Sequence, residues 1–177
     1  MAQLPNFILN PVPDIYLSDK YLVIDFETTN KNKGDARVGY NRIVDFYCYN
    51  SVTDSQINSL ELVKEELLKT DFVVAQGAKF EIKWLIRLGV DVSRILFYDT
   101  LLGEFVLAGN RQWPLDLDSI SKRYGYSGKE SLVSKMIKGG VCPSEIPYSL
   151  LHEYCVKDVY LTNEIFKKQR IKLKERG

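Results

Sequence analysis

The run Tyr21-Leu22-Val23-Ile24-Asp25-Phe26-Glu27-Thr28-Thr29 (YLVIDFETT, residues 21–29) sets the frame for the rest of the chain. Tyr21–Phe26 is strongly apolar and predicts a central strand. Residues two apart in a strand share a face, so Asp25 and Glu27 project side by side at its end. The loop that follows, residues 30–41, contains Gly34, Gly39 and several lysines and asparagines. Like charges this close raise each other's pKa unless a cation neutralises them. Mg²⁺ suits such a pair, being a hard ion that takes few carboxylates, several waters and a substrate phosphate. By itself a D-x-E pattern is more often an exposed strand end with two solvated acids.

Outward from this strand the pattern alternates. Ile43–Tyr49 (IVDFYCY) predicts a second strand, with Val44, Phe46 and Cys48 on one face and Asp45 and Tyr47 on the other. Residues 55–69 have helical spacing through Leu60, Val63, Leu67 and Leu68. Phe72–Ala75 and Ile95–Tyr98 predict short strands, and Ala78–Leu88 a helix with Phe80, Trp84, Leu85 and Leu88 on one side. Asp99 is placed to cap a helix over Thr100–Ala108. Further helices are expected over Leu117–Tyr124, Lys129–Lys138 and from Ser149 onward, with Pro147 at the entry of the last. Strands alternating with helices, then a helical second half, indicate an α/β fold with a mixed sheet.

Two other segments carry chemistry. Tyr154 and Asp158 stand four residues apart on the last helix, which puts a phenol and a carboxylate on one face. Glu81 lies in the first turns of the Ala78–Leu88 helix, whose Phe80 and Trp84 anchor it to the core. Taken singly, a core tyrosine beside a surface acid and a surface helix glutamate are the plainer readings.

The chain has 177 residues, enough for one domain with a real core. Hydrophobic residues make up 45% and charged residues 27%, which excludes a disordered chain. No apolar run approaches the ~20 residues of a bilayer span. Residues 1–19 show no basic segment followed by an apolar one, so no secretory signal is expected. The three cysteines, Cys48, Cys142 and Cys155, form no CxxC pair, which points to a reducing cytoplasm and away from structural zinc. The net charge of +1 means that any contact with nucleic acid must be local. Lys129, Lys135 and Lys138 fall on one expected helix that could meet phosphates or simply face solvent.

The three segments together, DFET at Asp25–Thr28, AKFEIKWL at Ala78–Leu85 and YCVKD at Tyr154–Asp158, resemble the motifs of the DEDD superfamily of 3′–5′ exonucleases, in its tyrosine branch. The likeness is to the proofreading domain of family A DNA polymerases, above all those of tailed bacteriophages. It covers roughly residues 20–168 and includes YDTLLGEFVLAGN, LDLDSISKRYG and GVCPSEIP. Each motif alone is weak; the constellation is specific. The second motif departs from the family, with Gln76 and Gly77 for its His-Asn and Glu81 for its Asp. The histidine position of the other branch is Glu153 here, so His152 is read as an ordinary surface residue.

The resemblance implies a ribonuclease H-like fold, a mixed five-stranded sheet flanked by helices with the carboxylates at one end. It implies two divalent ions, Mg²⁺ or Mn²⁺, with Asp25 bridging them. Glu27 and Asp158 complete the site of the ion that activates water, and Glu81 supports the other ion. Tyr154 orients the water, while Thr28 and Thr29 touch the 3′-terminal nucleotide. The implied activity is release of nucleoside 5′-monophosphates from single-stranded or frayed DNA ends, in the cytoplasm, or the host cytoplasm for a phage protein. The alternatives are a 3′–5′ exoribonuclease and a weakened domain that binds DNA or scaffolds a polymerase. A single domain over residues 1–177 is expected, with an arm at 1–20 and a basic tail at 167–177 that would lead into a polymerase module. Oligomeric state is not legible.

Overall fold

The apolar run of residues 21–26 forms the centre of the sheet in the computed structural model, which describes residues 14–127 and 132–176. Strand β1 (Tyr21–Thr28) continues past the expected end, so Asp25 and Glu27 both lie within it. The other strands are β2 (Ile43–Asn50), β3 (Ser55–Gln56), β4 (Phe72–Ala75) and β5 (Phe97–Asp99). They form one mixed sheet of five strands in the order β3-β2-β1-β4-β5. β1, β4 and β5 run parallel, while β2 is antiparallel to both β1 and β3. All four residues of β4 are buried, as expected of a parallel strand covered on both faces.

The helices are α1 (Leu60–Leu67), α2 (Lys79–Arg87), α3 (Thr100–Ala108), α4 (Leu117–Arg123), α5 (Leu132–Lys138) and α6 (Tyr148–Arg176). Alternation along β1 separates two cores. Leu22, Ile24 and Phe26 pack with Cys48, and with Val63, Leu67, Trp84 and Leu85 from α1 and α2. Tyr21 and Val23 face the opposite way, toward Leu107 of α3 and Val159 and Phe166 of α6. Asp25 and Glu27 share the parity of Tyr21 and Val23, so they face α6. The long helix also gathers α4, through Leu161 and Ile165, and α5, through Leu151. No helix among the described residues is long and apolar enough to cross a membrane.

Two local expectations are corrected. The helix expected over residues 55–69 begins at Leu60, because Ser59 caps it by accepting from the amides of Glu61 and Leu62; Ser55–Gln56 is an edge strand instead. In β2, Glu27 pairs with Asp45 while Thr28 pairs with Ile43, which leaves Val44 as a bulge. Val44 therefore packs on the cluster of Val133, Ile146 and Leu151, while Phe46 and Cys48 stay on the α1/α2 face. Up to Arg176 the basic tail continues α6, with Gln169 and Leu173 buried. Of the expected arm, residues 14–17 form a short 3₁₀ turn, where the Tyr16 hydroxyl donates to the Phe97 carbonyl at 3.0 Å. Residues 1–13 and Lys129 lie outside the described residues.

Candidate functional site

Where β1 ends against α6, three ligating side chains converge. A carboxylate oxygen of Asp25, one of Glu27 and the Cys155 sulfur all lie within 4.8 Å of one another. The Cys155 thiol sits at 3.5 Å from Oδ2 of Asp25 and 3.6 Å from its carbonyl oxygen. Burial raises the pKa of this thiol far above its usual value, and the charges of Asp25, Glu27 and Asp45 raise it further. It is thus held as a neutral donor rather than a nucleophile.

Glu81 stands within the electrostatic field of Asp25 and Glu27. It lies in the first turn of α2, which Trp84 fixes by donating from Nε1 to the Gly34 carbonyl at 3.1 Å. Glu81 is only 2% exposed. Burial pushes its pKa well above the usual carboxylate range, and Asp25, then Asp99 and Glu27, push it further. Its Oε2 is buried with no hydrogen-bond partner among the described residues. An orphaned carboxylate oxygen beside converging acids fits a hard divalent cation, which would reverse the direction of these shifts.

Helix α6 supplies the remaining residues. Asp158 is buried and follows Cys155 by three residues, so it lies on the same side of the helix one turn on. Tyr154 is half-buried, packed against the cluster of Val133, Ile146 and Leu151. The structure therefore places Asp25, Glu27 and Glu81 within one another's field, and Tyr154 and Asp158 on the helix that meets Asp25.

Besides Cys155, two residues beyond the sequence-based set join this site. Asp45 stands opposite Glu27 in the β1–β2 register and is buried. Its Oδ2 lies 2.9 Å from Nδ1 of His152, whose ring stacks on Tyr148 with centroids 5.5 Å apart. His152 is thus no ordinary surface residue but the partner of a buried acid. The alternation of β2 already separated Asp45 from Phe46; what the sequence lacked was the register that sets it opposite Glu27.

The nearby loops are built around backbone requirements. Gly77 adopts φ +75°, which glycine takes freely, and a Cβ there would meet nothing within 4 Å. Asp99 accepts from the amides of Gly77, Ala78 and Leu101 at 2.8–2.9 Å, so it caps α3 and ties β4 to β5. The Gln76 amide donates to the Leu115 carbonyl and its oxygen accepts from Thr100. A cavity of about 420 Å³ opens beside the acids, lined by Phe26, Glu27, Thr28, Lys33, Phe80 and Pro143 among others. Thr28 faces this cavity, whereas the Thr29 hydroxyl is engaged with the Asn41 side chain and the Arg42 amide. Lys135 and Lys138 are exposed on α5.

No family model matches the chain. No curated protein matches it either.

Proposed function

We propose that this chain is a metal-dependent 3′–5′ exonuclease that shortens single-stranded or frayed DNA ends, on a ribonuclease H-like fold. The observation that carries the reading is the convergence of Asp25 and Glu27 at the end of β1, with Glu81 buried in their field and one carboxylate oxygen left without a hydrogen bond. Such an arrangement is unfavourable without a cation and favourable with one.

Asp25, Glu27 and Asp158 would hold the metal, with Glu81 supporting a second ion. Divalent ions bound there supply an activated water and neutralise charge on the phosphate being cleaved. The residues of the chain do the positioning. Cys155 donates toward Asp25 and so orients that carboxylate. His152 fixes Asp45 behind Glu27. Tyr154, packed by its ring, directs its hydroxyl at the attacking water. The cavity beside Glu27 offers Phe26 and Phe80 to a terminal base and sugar, and Lys33 to a phosphate. The choice of DNA over RNA rests on the likeness to polymerase proofreading domains, as does the expectation of a polymerase module as partner.

The test is a cleavage assay with 5′-labelled DNA and RNA oligonucleotides in Mg²⁺, Mn²⁺ or EDTA. A ladder shortening from the 3′ end, on DNA, only with metal, is the expected result. Cleavage in EDTA, or none with either metal, overturns the proposal; faster loss of RNA moves it to an exoribonuclease.

A further inference from the structure

Far along α6 from the carboxylates lies a cavity of different chemistry. Cys155 meets Asp25 and Asn163 meets Tyr21, so α6 runs away from the carboxylate end of β1. Lys172 is 14 residues past Asp158, or about 21 Å along the helix at ~1.5 Å per residue. There the end of α6, the end of α3, the loop after α3 and α4 enclose about 530 Å³. The lining includes Arg111, Trp113, Arg123, Tyr124, Lys172 and Arg176.

The cations sit on the aromatic rings. The Arg111 and Arg123 guanidinium carbons lie 4.1 Å and 5.1 Å from the Trp113 centroid, and the Lys172 nitrogen 4.2 Å from that of Tyr124. The groups are also fixed from behind. Arg123 donates to buried Glu104 at 3.1 Å and to the Pro114 carbonyl at 2.8 Å. The Tyr124 hydroxyl and the Gln169 amide donate to the other Glu104 oxygen, each at 3.0 Å. Arg111 donates to the Ala108 and Leu107 carbonyls at the end of α3. Four basic side chains line the cavity against two acids, Glu104 and Glu175, which leaves two positive charges in excess.

We propose that this cavity binds a nucleotide unit of a single nucleic-acid strand, its base against Trp113 and its phosphate against Arg111, Lys172 and Arg176. A bare anion would have no use for the rings, and an apolar ligand none for the cations. A base with its phosphate uses both, and stacking plus backbone charge is how single strands are held without sequence preference. This goes beyond the exonuclease reading and does not rest on it, because nothing in the cavity calls for a metal.

The experiment measures anisotropy of a fluorescein-labelled oligothymidylate with the protein in EDTA, where cleavage by the proposed metal site is suppressed. Binding should weaken as salt rises. Lys172→Glu, at an exposed position, should weaken it roughly 5- to 150-fold, as should Trp113→Ala, while Trp113→Phe retains most of it. Lys174→Glu reverses the same charge on the same helix outside the cavity and should change affinity about twofold or less. Equal losses for Lys174→Glu and Lys172→Glu would reveal diffuse charge and overturn the proposal. So would absence of binding, or thymidine monophosphate competing as well as the strand does, since either removes the strand as the ligand.

Discussion

Glu81 is where the candidate site is most strained electrostatically. Its folded pKa is raised, so between the ordinary carboxylate range and that raised value the folded state binds more protons than the unfolded chain. Stability without metal should therefore fall as pH rises through this interval. Glu81→Gln removes the titration and keeps the shape. In EDTA at pH 8 its melting temperature should exceed the parent's by roughly 2–4 °C or more, and near pH 4 the gap should close. Calorimetry at the two pH values checks the sign; an equal gap at both would remove the buried carboxylate as the cause. The same variant should lose cleavage, the usual cost of relieving strain at a site. Tyr154→Phe should behave differently. It keeps the ring packed on the cluster of Val133, Ile146 and Leu151, so melting should move little, while single-turnover cleavage slows roughly 10- to 1,000-fold if the hydroxyl positions water. A wild-type rate would take Tyr154 out of the proposed chemistry.

At the scale of elements, α6 joins the two ends of the molecule. Its inward positions Phe166, Gln169 and Leu173 follow helical spacing, with basic residues filling the faces between them. Gln169 is fully buried and donates to the Thr100 carbonyl and to Glu104. Ending the chain after Lys167 should therefore destabilise it by roughly 3–5 kcal/mol in urea unfolding, through one lost apolar side chain and a broken buried network. An unchanged urea midpoint would mean that these ten residues are a passive tail. The sequence hid this role because a buried glutamine among lysines reads as a polar surface. The apolar runs of β1 and β4 and the Asp99 cap of α3 were readable because their signals are local. Ser55–Gln56 is too short for a period to show, and the Val44 bulge depends on pairing with β1. The same divide runs through the candidate site. Asp25, Glu27, Tyr154 and Asp158 stand out by spacing along one strand and one helix. Cys155 and Asp45 gain their places only when α6 and β2 dock on β1, which no local pattern records.

Across the whole molecule, acids collect at one edge of the sheet: Asp25 and Glu27 near the end of β1, Asp99 at the end of the parallel β5, and Glu81 just after β4. This is the side on which parallel α/β sheets place ligands. Asp99 is offset by three amide donors, whereas Oε2 of Glu81 has no hydrogen-bond partner among the described residues. If a cation supplies the balance, binding must stabilise the fold by RT ln(1 + [M]/Kd), about 2.7 kcal/mol at 100 times Kd. Mn²⁺ or Mg²⁺ should then raise the melting temperature of the parent above that in EDTA at matched ionic strength. The Asp25→Ala/Asp158→Ala variant makes a sharper case, because two effects run in opposite directions. With fewer like charges around Glu81 it should melt above the parent in EDTA, yet gain nothing from metal and cut nothing. General destabilisation would lower both melting curves together, and simple screening of charge would let the variant respond to metal as NaCl makes it respond. Only a cation held by these carboxylates predicts that the curves of parent and variant cross as metal is added. A variant that keeps the full metal-induced rise would place the ion elsewhere in the molecule and leave the cluster without the role proposed for it.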